Sequence, residues 1–320
     1  MQNAHTPVQL RHVAMLTNPT AHRGKAMMAA NAALKVFTSK GIEVDFHLGT
    51  SRENTIELVR TIANDPSIDA IIACGGDGHI NAILQSMART EKPLGIIPAG
   101  SGNDFARHFH IPRSPSKAAK AIVKGWAKKI DLGRITGQDS SGNRRQRWFG
   151  TIACAGFDSR VSVRADNLKW PQGPARFNLA LFQEFLGLKA VATTLTLDSG
   201  ETIELDATLV AVANTSSYGG GKRIAPEAKA TDGVFDITVV PAIGRAVFAK
   251  NFRRVFDGSV YHMPGVYKKQ AKSLTYYMWS LAMSADGEYM SHMPCTLECV
   301  PGALTLILPP KVAEEKKGPH

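Results

Sequence analysis

The hydrophobic pattern divides the chain in two. Up to residue 134, short apolar runs alternate with longer stretches in which apolar residues recur every three or four positions. That alternation predicts an α/β domain on a mostly parallel sheet. Strands are expected at His12–Leu16, Val44–His47, Ala70–Ala73, Gly95–Pro98 and Lys129–Gly133, with helices between them. The helix Lys25–Lys40 stops at Gly41, a residue suited to a left-handed cap, and the next helix opens with a capping box from Thr50 to Glu53. After Gly133 the period shortens: a basic stretch from Gly137 to Arg147 reads as an exposed hairpin tip. Val191–Leu197, Thr202–Ala213, Val234–Val240, Ser273–Ser284 and Thr296–Leu308 then alternate apolar and polar residues, as strands of an antiparallel β-sandwich do. Turns are expected at Asp198-Ser199-Gly200 and Pro301-Gly302, and helices at Ala175–Leu188 and Arg245–Phe256. The expected division is 1–134, 135–310 and a polar tail, 311–320.

Composition narrows the classes. With 320 residues, 44% hydrophobic and 20% charged, the chain is of ordinary globular make-up, which excludes whole-chain disorder. A net charge of +11 favours a polyanionic partner: nucleic acid, an anionic membrane surface or phosphates. Four cysteines, at positions 74, 154, 295 and 299, suit a reducing cytoplasm better than a disulfide scaffold. Cys295 and Cys299 face one side of a strand and lack the further Cys or His pair a zinc site requires. Neither a cationic leader followed by an apolar core nor an apolar run of about 18 residues is present. The expectation is a cytoplasmic protein that meets a membrane only from its surface.

The strongest chemical signal is Gly75-Gly76-Asp77-Gly78, between an apolar strand and a helix beginning near His79. Glycines let the backbone approach a ligand, and N–H groups at a helix start favour phosphate. Asp77 would repel phosphate there unless Mg²⁺ lies between or the carboxylate accepts a proton. A plain tight turn also accounts for the loop taken alone. A second loop, Pro98-Ala99-Gly100-Ser101-Gly102-Asn103-Asp104, runs into a helix at Phe105, with Asn103 suited to capping it. A third runs from Asn18-Pro19-Thr20 to Gly24-Lys25. All three follow strand ends, where open α/β sheets bind ligands. Neither the G-x-x-x-x-G-K-[ST] nor the dinucleotide G-x-G-x-x-G fingerprint is present, and the protein-kinase set is absent.

Asn18-Pro19, GGDG at 75–78, PAGSGNDFAR at 98–107, Asp131-Leu132-Gly133, GFD at 156–158, YGGG at 218–221, AP at 225–226, TDG at 231–233 and DGE at 286–288 run through nearly the whole chain. In order and spacing they resemble the diacylglycerol kinase catalytic domain family, which includes bacterial lipid kinases and sphingosine and ceramide kinases, with NAD kinase and phosphofructokinase more distant. The resemblance implies an ATP- and Mg²⁺-dependent kinase acting on a lipid hydroxyl, most simply that of diacylglycerol, with nucleotide between an N-terminal α/β domain and a C-terminal β-sandwich. By position, Asn18, Gly24 and Thr50 match the family's first nucleotide contacts, Gly75, Gly76, Asp77, Gly78, His79 and Asn81 its central phosphate loop, and Ser101 a nucleotide-contacting threonine. Asp77, Asp104 and Asp131 match acidic positions linked to Mg²⁺ and water, and Lys229, Asp232 and Val234 those that hold a structural Mg²⁺ through backbone oxygens. Glu288 matches the proposed general base, with Asp286 beside it.

The chemistry suits such roles, because phosphoryl transfer needs in-line positioning, charge neutralisation and a carboxylate near the attacking hydroxyl. Residues two apart in an extended chain share a face, so Asp286 and Glu288 are expected to converge, although a hairpin turn with two solvated acids is the plain alternative. Two positions depart from the family pattern. His79 and Ala82 stand where threonine and glutamate are usual, so His79 either donates to phosphate or caps the helix, and a nucleotide-binding regulator with weak catalysis stays open beside an active kinase. For the acceptor, Trp170, Phe177, Leu179, Leu181, Phe182, Phe185 and Leu186 cluster after GFD, and Val247, Phe248, Phe252, Val255 and Phe256 lie on a stretch with Lys250, Arg253 and Arg254. Such a stretch can rest on anionic headgroups or pack as core. A lipid at the membrane surface is the expected partner, a sphingosine-like, ceramide or phosphatidylglycerol acceptor being the alternative to diacylglycerol. Nucleic acid is not expected, since no recognition motif appears, and a homodimer stays open.

Overall fold

The computed structural model of the chain describes residues 6–19, 24–157, 159–161, 164, 168, 170, 174–251, 253–279 and 282–310. Thr20, Asp158, Phe252 and the tail 311–320 lie outside them, as do the side chains of Phe177, Leu181, Val255 and Phe256. The described chain forms two compact units, the first built from residues up to Leu132 and again from Pro301 onward, the second from Gly133–Val300.

In the first unit the elements run β1 (Thr6–Pro7), β2 (His12–Thr17), α1 (Lys25–Thr38), β3 (Glu43–Leu48), α2 (Arg52–Ala63), β4 (Ala70–Gly75), α3 (Asp77–Met87), β5 (Leu94–Pro98), α4 (Asp104–His108) and α5 (Pro115–Val123). β5, β4, β2 and β3 lie side by side in that order and all pair in parallel. β4 reads AIIACG and is buried throughout, as a central strand covered on both faces must be. α1 buries Ala26, Ala29, Ala30, Ala33 and Phe37, a stripe at helical spacing that lets the helix sit close on the sheet. Because the strands are parallel, the four loops that follow them leave from one edge. Thr17 is level with Leu48 and Cys74, and Gly75 with Pro98.

The second unit is antiparallel. Its strands are β6 (Trp126–Gln138, entering from the first unit), β7 (Arg144–Phe149), β8 (Ile152–Gly156), β9 (Val191–Leu197), β10 (Thr202–Ala213), β11 (Phe235–Pro241), β12 (Tyr267–Ala271), β13 (Ser273–Met278), β14 (Ala282–Ala285) and β15 (Glu288–Leu308), with α6 (Pro174–Leu186), α7 (Arg245–Asn251) and α8 (Arg254–Asp257) between them. β10 serves two layers. Its first half pairs with β9, its second half with β8 and β11, and the register shifts between Ala207 and Leu209. The core between the layers holds Phe149 stacked on Phe235 at 5.7 Å, with Tyr276, Val210, Ile237 and Leu297. Each such side chain contributes roughly 1.5–3 kcal/mol by leaving water. Cys295 and Cys299 are part of this core, which is what their shared strand face implied.

Several expectations change. Pro301-Gly302 is not a turn, because β15 runs through it, with Gly302 at φ +62 and its N–H taken by Asp131 Oδ1 at 2.8 Å. The chain from Pro301 therefore returns to the first unit, where Leu306 pairs with Leu94, instead of remaining in the second as the 135–310 division supposed. Ser273–Ser284 is two strands, and Arg245–Phe256 is two helices. The basic hairpin tip narrows to Asp139–Asn143, where Asp139 accepts the N–H groups of Ser141 and Asn143, because its flanks are paired in β6 and β7. β7, β8 and β12 were not expected; β12 reads YKKQA, too polar on both faces to alternate. The cap of α2 is Ser51, one residue later than the box placed at Thr50. Ser51 Oγ accepts from Asn54 N–H at 3.0 Å, and Asn54 Oδ1 accepts from Thr50 N–H at 3.1 Å.

Candidate active site

In the first unit the candidate residues gather on the edge from which the four loops leave. Gly24 precedes α1 at φ +84, and Gly76 precedes α3 in extended conformation; neither has a side chain to cap its helix. The first N–H groups of both helices, those of Asp77, Gly78 and His79 among them, are thus donors of the kind that hold a phosphate. α2 differs, since Ser51 already caps it.

The loops after β4 and β5 lock together through glycine. A Cβ on Gly100 would lie 2.5 Å from Gly76 Cα and 2.9 Å from Asn103 Oδ1, and one on Gly75 would lie 2.7 Å from the His79 ring. Asn103, at φ +53, clasps its own loop: its Oδ1 accepts from Gly100 N–H at 2.8 Å and its Nδ2 donates to Gly100 O at 2.7 Å. It holds the loop and does not cap α4, which corrects the reading from sequence. The cap on α4 comes from across the gap, where Asp77 Oδ1 accepts from Phe105 N–H at 3.3 Å. Ser101, at the loop tip, is exposed.

Not every predicted contact points to the edge. The His79 ring turns to the sheet: its Nε2 lies 3.3 Å from Leu16 O, an acceptor, so that nitrogen carries the proton and donates there. Burial holds the His79 pKa below its ordinary value. Asn81 is fully buried, its Oδ1 receiving Arg52 at 2.6 Å and Gln85 at 3.2 Å. Arg52 thereby ties α2 to α3, a residue the motif reading missed. Asp104 is buried and paired with Arg107 at 2.8 Å, whose other nitrogen donates to Gly102 O at 2.8 Å. Asp131 is buried, and its Oδ1 accepts from Gly302 N–H at 2.8 Å. Asn18 is half-buried just after β2, and Thr50 is exposed.

In the second unit, Asp286-Gly287 joins β14 to β15, with Ala285 paired to Glu288. Both residues have positive φ, +54 and +81, so this is a two-residue hairpin turn, a conformation that Asp-Gly favours. The extended geometry that would align Asp286 with Glu288 is therefore absent, and the turn reading holds for the backbone. The acid of the turn is not solvated, however. Asp286 Oδ2 accepts from Gly150 N–H at 2.8 Å, and its Oδ1 accepts from Thr151 N–H at 2.9 Å and from the Thr151 hydroxyl. Buried Asn214 joins the same loop, donating to Gly150 O at 2.9 Å. Asp286 is thus a tie between loops, and Glu288, half-buried on the first position of β15, is the acid beside it. Thr151 and Asn214 went unread in the sequence, although a polar cluster at the end of an apolar strand was a visible sign.

Lys229, Asp232 and Val234 sit in a loop before β11. Lys229 and Asp232 are exposed, and Asp232 Oδ1 accepts from Val234 N–H at 3.4 Å across Gly233, at φ +77. Next to them Asp236 is buried; its Oδ1 accepts from Gln270 at 3.1 Å, whereas its Oδ2 has no hydrogen-bond partner among the described residues. Burial, together with the charges of Asp232 and Glu227, pushes the Asp236 carboxyl up from its usual range. An orphaned carboxylate oxygen among acidic neighbours is the donor chemistry of a hard divalent cation, so these residues fit Mg²⁺.

Around α6 and α7, Phe248 packs on Phe157 at 4.8 Å and on Phe185 at 5.9 Å, beside buried Val161, Ala180 and Leu188. Phe182, Leu186 and Val247 remain exposed, as does Trp170, while Leu179 is half-buried. Lys250, Arg253 and Arg254 are exposed too. Among the described residues no helix is long and apolar enough to cross a membrane.

Comparison with known proteins assigns both segments. Residues 12–135 match the diacylglycerol kinase catalytic domain, and residues 151–308 match the YegS C-terminal NAD kinase beta sandwich-like domain. The chain is 37% identical over 302 residues to a diacylglycerol kinase of Mycobacterium tuberculosis, covering 94% of this chain and 96% of that one. It is 30% identical over 246 residues to a diacylglycerol kinase of Staphylococcus saprophyticus, covering 75% and 76%. A crystal structure of a diacylglycerol kinase from Bacillus anthracis shares the fold, with a TM-score of 0.71 at 22% identity over 94% of this chain and 98% of that one. The catalytic-domain match and these relatives make the chain a lipid kinase. The chain belongs to the diacylglycerol kinase family.

Proposed function

We propose that the protein transfers the γ-phosphate of Mg·ATP to the hydroxyl of diacylglycerol, giving phosphatidic acid. The observation that carries this reading is the pair of uncapped, glycine-started helices α1 and α3 leaving one edge of a parallel sheet, with the 98–104 loop packed on Gly76. Their first-turn N–H groups bind the nucleotide phosphates, and Ser101 and Thr50 add hydroxyls at exposed positions. Asp77 and Asp104 hold the loops in register through Phe105 N–H and Arg107. Glu288 takes the proton of the acceptor hydroxyl, while Asp286 keeps the turn carrying it in place through Gly150 and Thr151.

A bound Mg²⁺ would supply charge neutralisation at the phosphates. Asp77, Asp104 and Asp131 are the acidic groups assigned to that cation, and Lys229, Asp232 and Val234, supported by the free oxygen of Asp236, to a structural one. Exposed Phe182, Leu186 and Val247 with nearby Lys250, Arg253 and Arg254 support a transient contact with an anionic membrane from the cytoplasmic side.

The test is transfer of labelled γ-phosphate from ATP into mixed micelles of diacylglycerol, sphingosine, ceramide or phosphatidylglycerol, with NAD as soluble control. Label in phosphatidic acid that disappears with EDTA is the expected result. Label in another lipid would move the acceptor assignment. Label in none, with ATP still bound, would overturn the reading.

A further inference from the structure

The parallel sheet of the first unit has a second edge, where the strands begin. There β2 and β3 start in register, with His12 level with Glu43 and Ala14 level with Asp45. Partners on neighbouring strands share a face, as do residues two apart, so His12, Glu43 and Asp45 all rise from one face. One ligand atom from each, a ring nitrogen and two carboxylate oxygens, lies within 4.8 Å of the other two. His12 Nε2 is buried and lies 3.1 Å from Asp45 Oδ2, close enough to pair with that carboxylate. The start of β2 is itself held rigid, because Asp69 Oδ2 accepts the N–H groups of Arg11 at 2.6 Å and His12 at 2.9 Å.

Ligands bound at about 2.0–2.2 Å to one cation sit roughly 3–3.5 Å apart. The His12–Asp45 separation already meets that spacing, and Glu43, the exposed member, needs only a rotamer adjustment to reach it. One imidazole with two carboxylates is a mixed nitrogen and oxygen set. Mg²⁺ and Ca²⁺ prefer oxygen alone, whereas Zn²⁺ and its first-row neighbours accept both. β2 spans 6 residues, so this cluster lies on the order of 20 Å along the sheet from the glycine loops at the far ends of the same strands.

We propose that His12, Glu43 and Asp45 form a binding site for a zinc-type divalent cation. The ion would bridge β2 and β3, and β3 is the outermost strand of the parallel set, with pairing to β2 alone among the described residues. It would therefore staple a sheet edge whose unpaired side is otherwise open.

Isothermal titration of the full chain with Zn²⁺, in excess Mg²⁺ to fill oxygen-only sites, tests this. The expected result is one equivalent of Zn²⁺ bound by the parent, weakened about tenfold or more in Glu43→Gln and in Asp45→Asn, with the surface control Glu57→Gln unaffected. Zn²⁺ should also slow amide exchange across residues 43–48 in the parent and in neither variant. Glu43 is exposed, so its variant keeps the fold even if Asp45→Asn does not. Unchanged Zn²⁺ affinity in Glu43→Gln, or no Zn²⁺ bound by the parent, would overturn the proposal, and neither result bears on the kinase reading.

Discussion

Asp286→Asn distinguishes a scaffold carboxylate from a catalytic one. In the native chain two oxygens receive three donors: Gly150 N–H at 2.8 Å, Thr151 N–H at 2.9 Å and the Thr151 hydroxyl. Asparagine offers one oxygen. If it keeps Thr151, its amide then faces Gly150 N–H, donor against donor, and a charge-assisted bond of roughly 1.5–3 kcal/mol is lost while the remaining two weaken. The sum is about 3 kcal/mol, which at 1.36 kcal/mol per decade is on the order of a hundredfold in local opening. Amide exchange at Gly150 and Thr151 reads this directly, and a urea transition followed by Trp148, two residues before Gly150, gives the same energy for the unit. Glu288→Gln is the comparator: it keeps the shape of the side chain and leaves the three donors to Asp286 in place, so it should move exchange at Gly150 and Thr151 less than Asp286→Asn does and lower phosphate transfer by roughly 10² or more. The reasoning is refuted if Asp286→Asn leaves exchange and stability at parent values while transfer collapses, for then its carboxylate acts on substrate and not on the loop.

Two further outcomes follow from the first unit. Gly100→Ala forces a Cβ to within 2.5 Å of Gly76 Cα, a backbone atom that cannot swing aside, so a cost of about 1–3 kcal/mol is expected together with weakened ATP binding by calorimetry; unchanged binding would separate the loop contact from the phosphate site. His79 has its pKa lowered by burial, so the unfolded chain takes up a proton that the folded one refuses. The sign is that stability is full above the unfolded value of about 6.5 and falls as pH drops below it. Melting from pH 8 to 5 should therefore show a steeper acid limb in the parent than in His79→Gln, whose amide can still donate to Leu16 O, and equal limbs would sink the assignment.

Much of the fold was legible because its signals are local. The alternation of apolar runs and helical stretches marked β2 to β5, and the glycines after β4 and β5 stand on the edge from which the loops leave. What escaped was set by long-range pairing. Nothing near Pro301-Gly302 says that β15 continues, since the reason is a carboxylate at Asp131, 171 positions earlier, that accepts Gly302 N–H. Likewise β12 reads as a polar loop until β11 is beside it, and Arg52 looks like a surface residue until α3 brings Asn81 to it.

The site divides along the same line. A motif records which residue types stand together but not which atoms their side chains already hold, and the acidic and amide positions of these motifs are largely engaged: Asp77 with Phe105, Asn103 with Gly100, Asp104 with Arg107, Asp131 with Gly302 and Asp286 with Gly150 and Thr151. Their recurrence in a phosphate-handling chain is explained first by loop geometry, because a backbone that must cradle an anion needs its own shape fixed by something other than the ligand. The groups then available to meet a phosphate are chiefly main-chain N–H donors, which carry no residue identity. Glycine at the caps is their trace in the sequence: Gly24 and Gly76 give α1 and α3 no side-chain cap where Ser51 closes α2, and that contrast supports the proposed phosphate edge more directly than any of the carboxylates does.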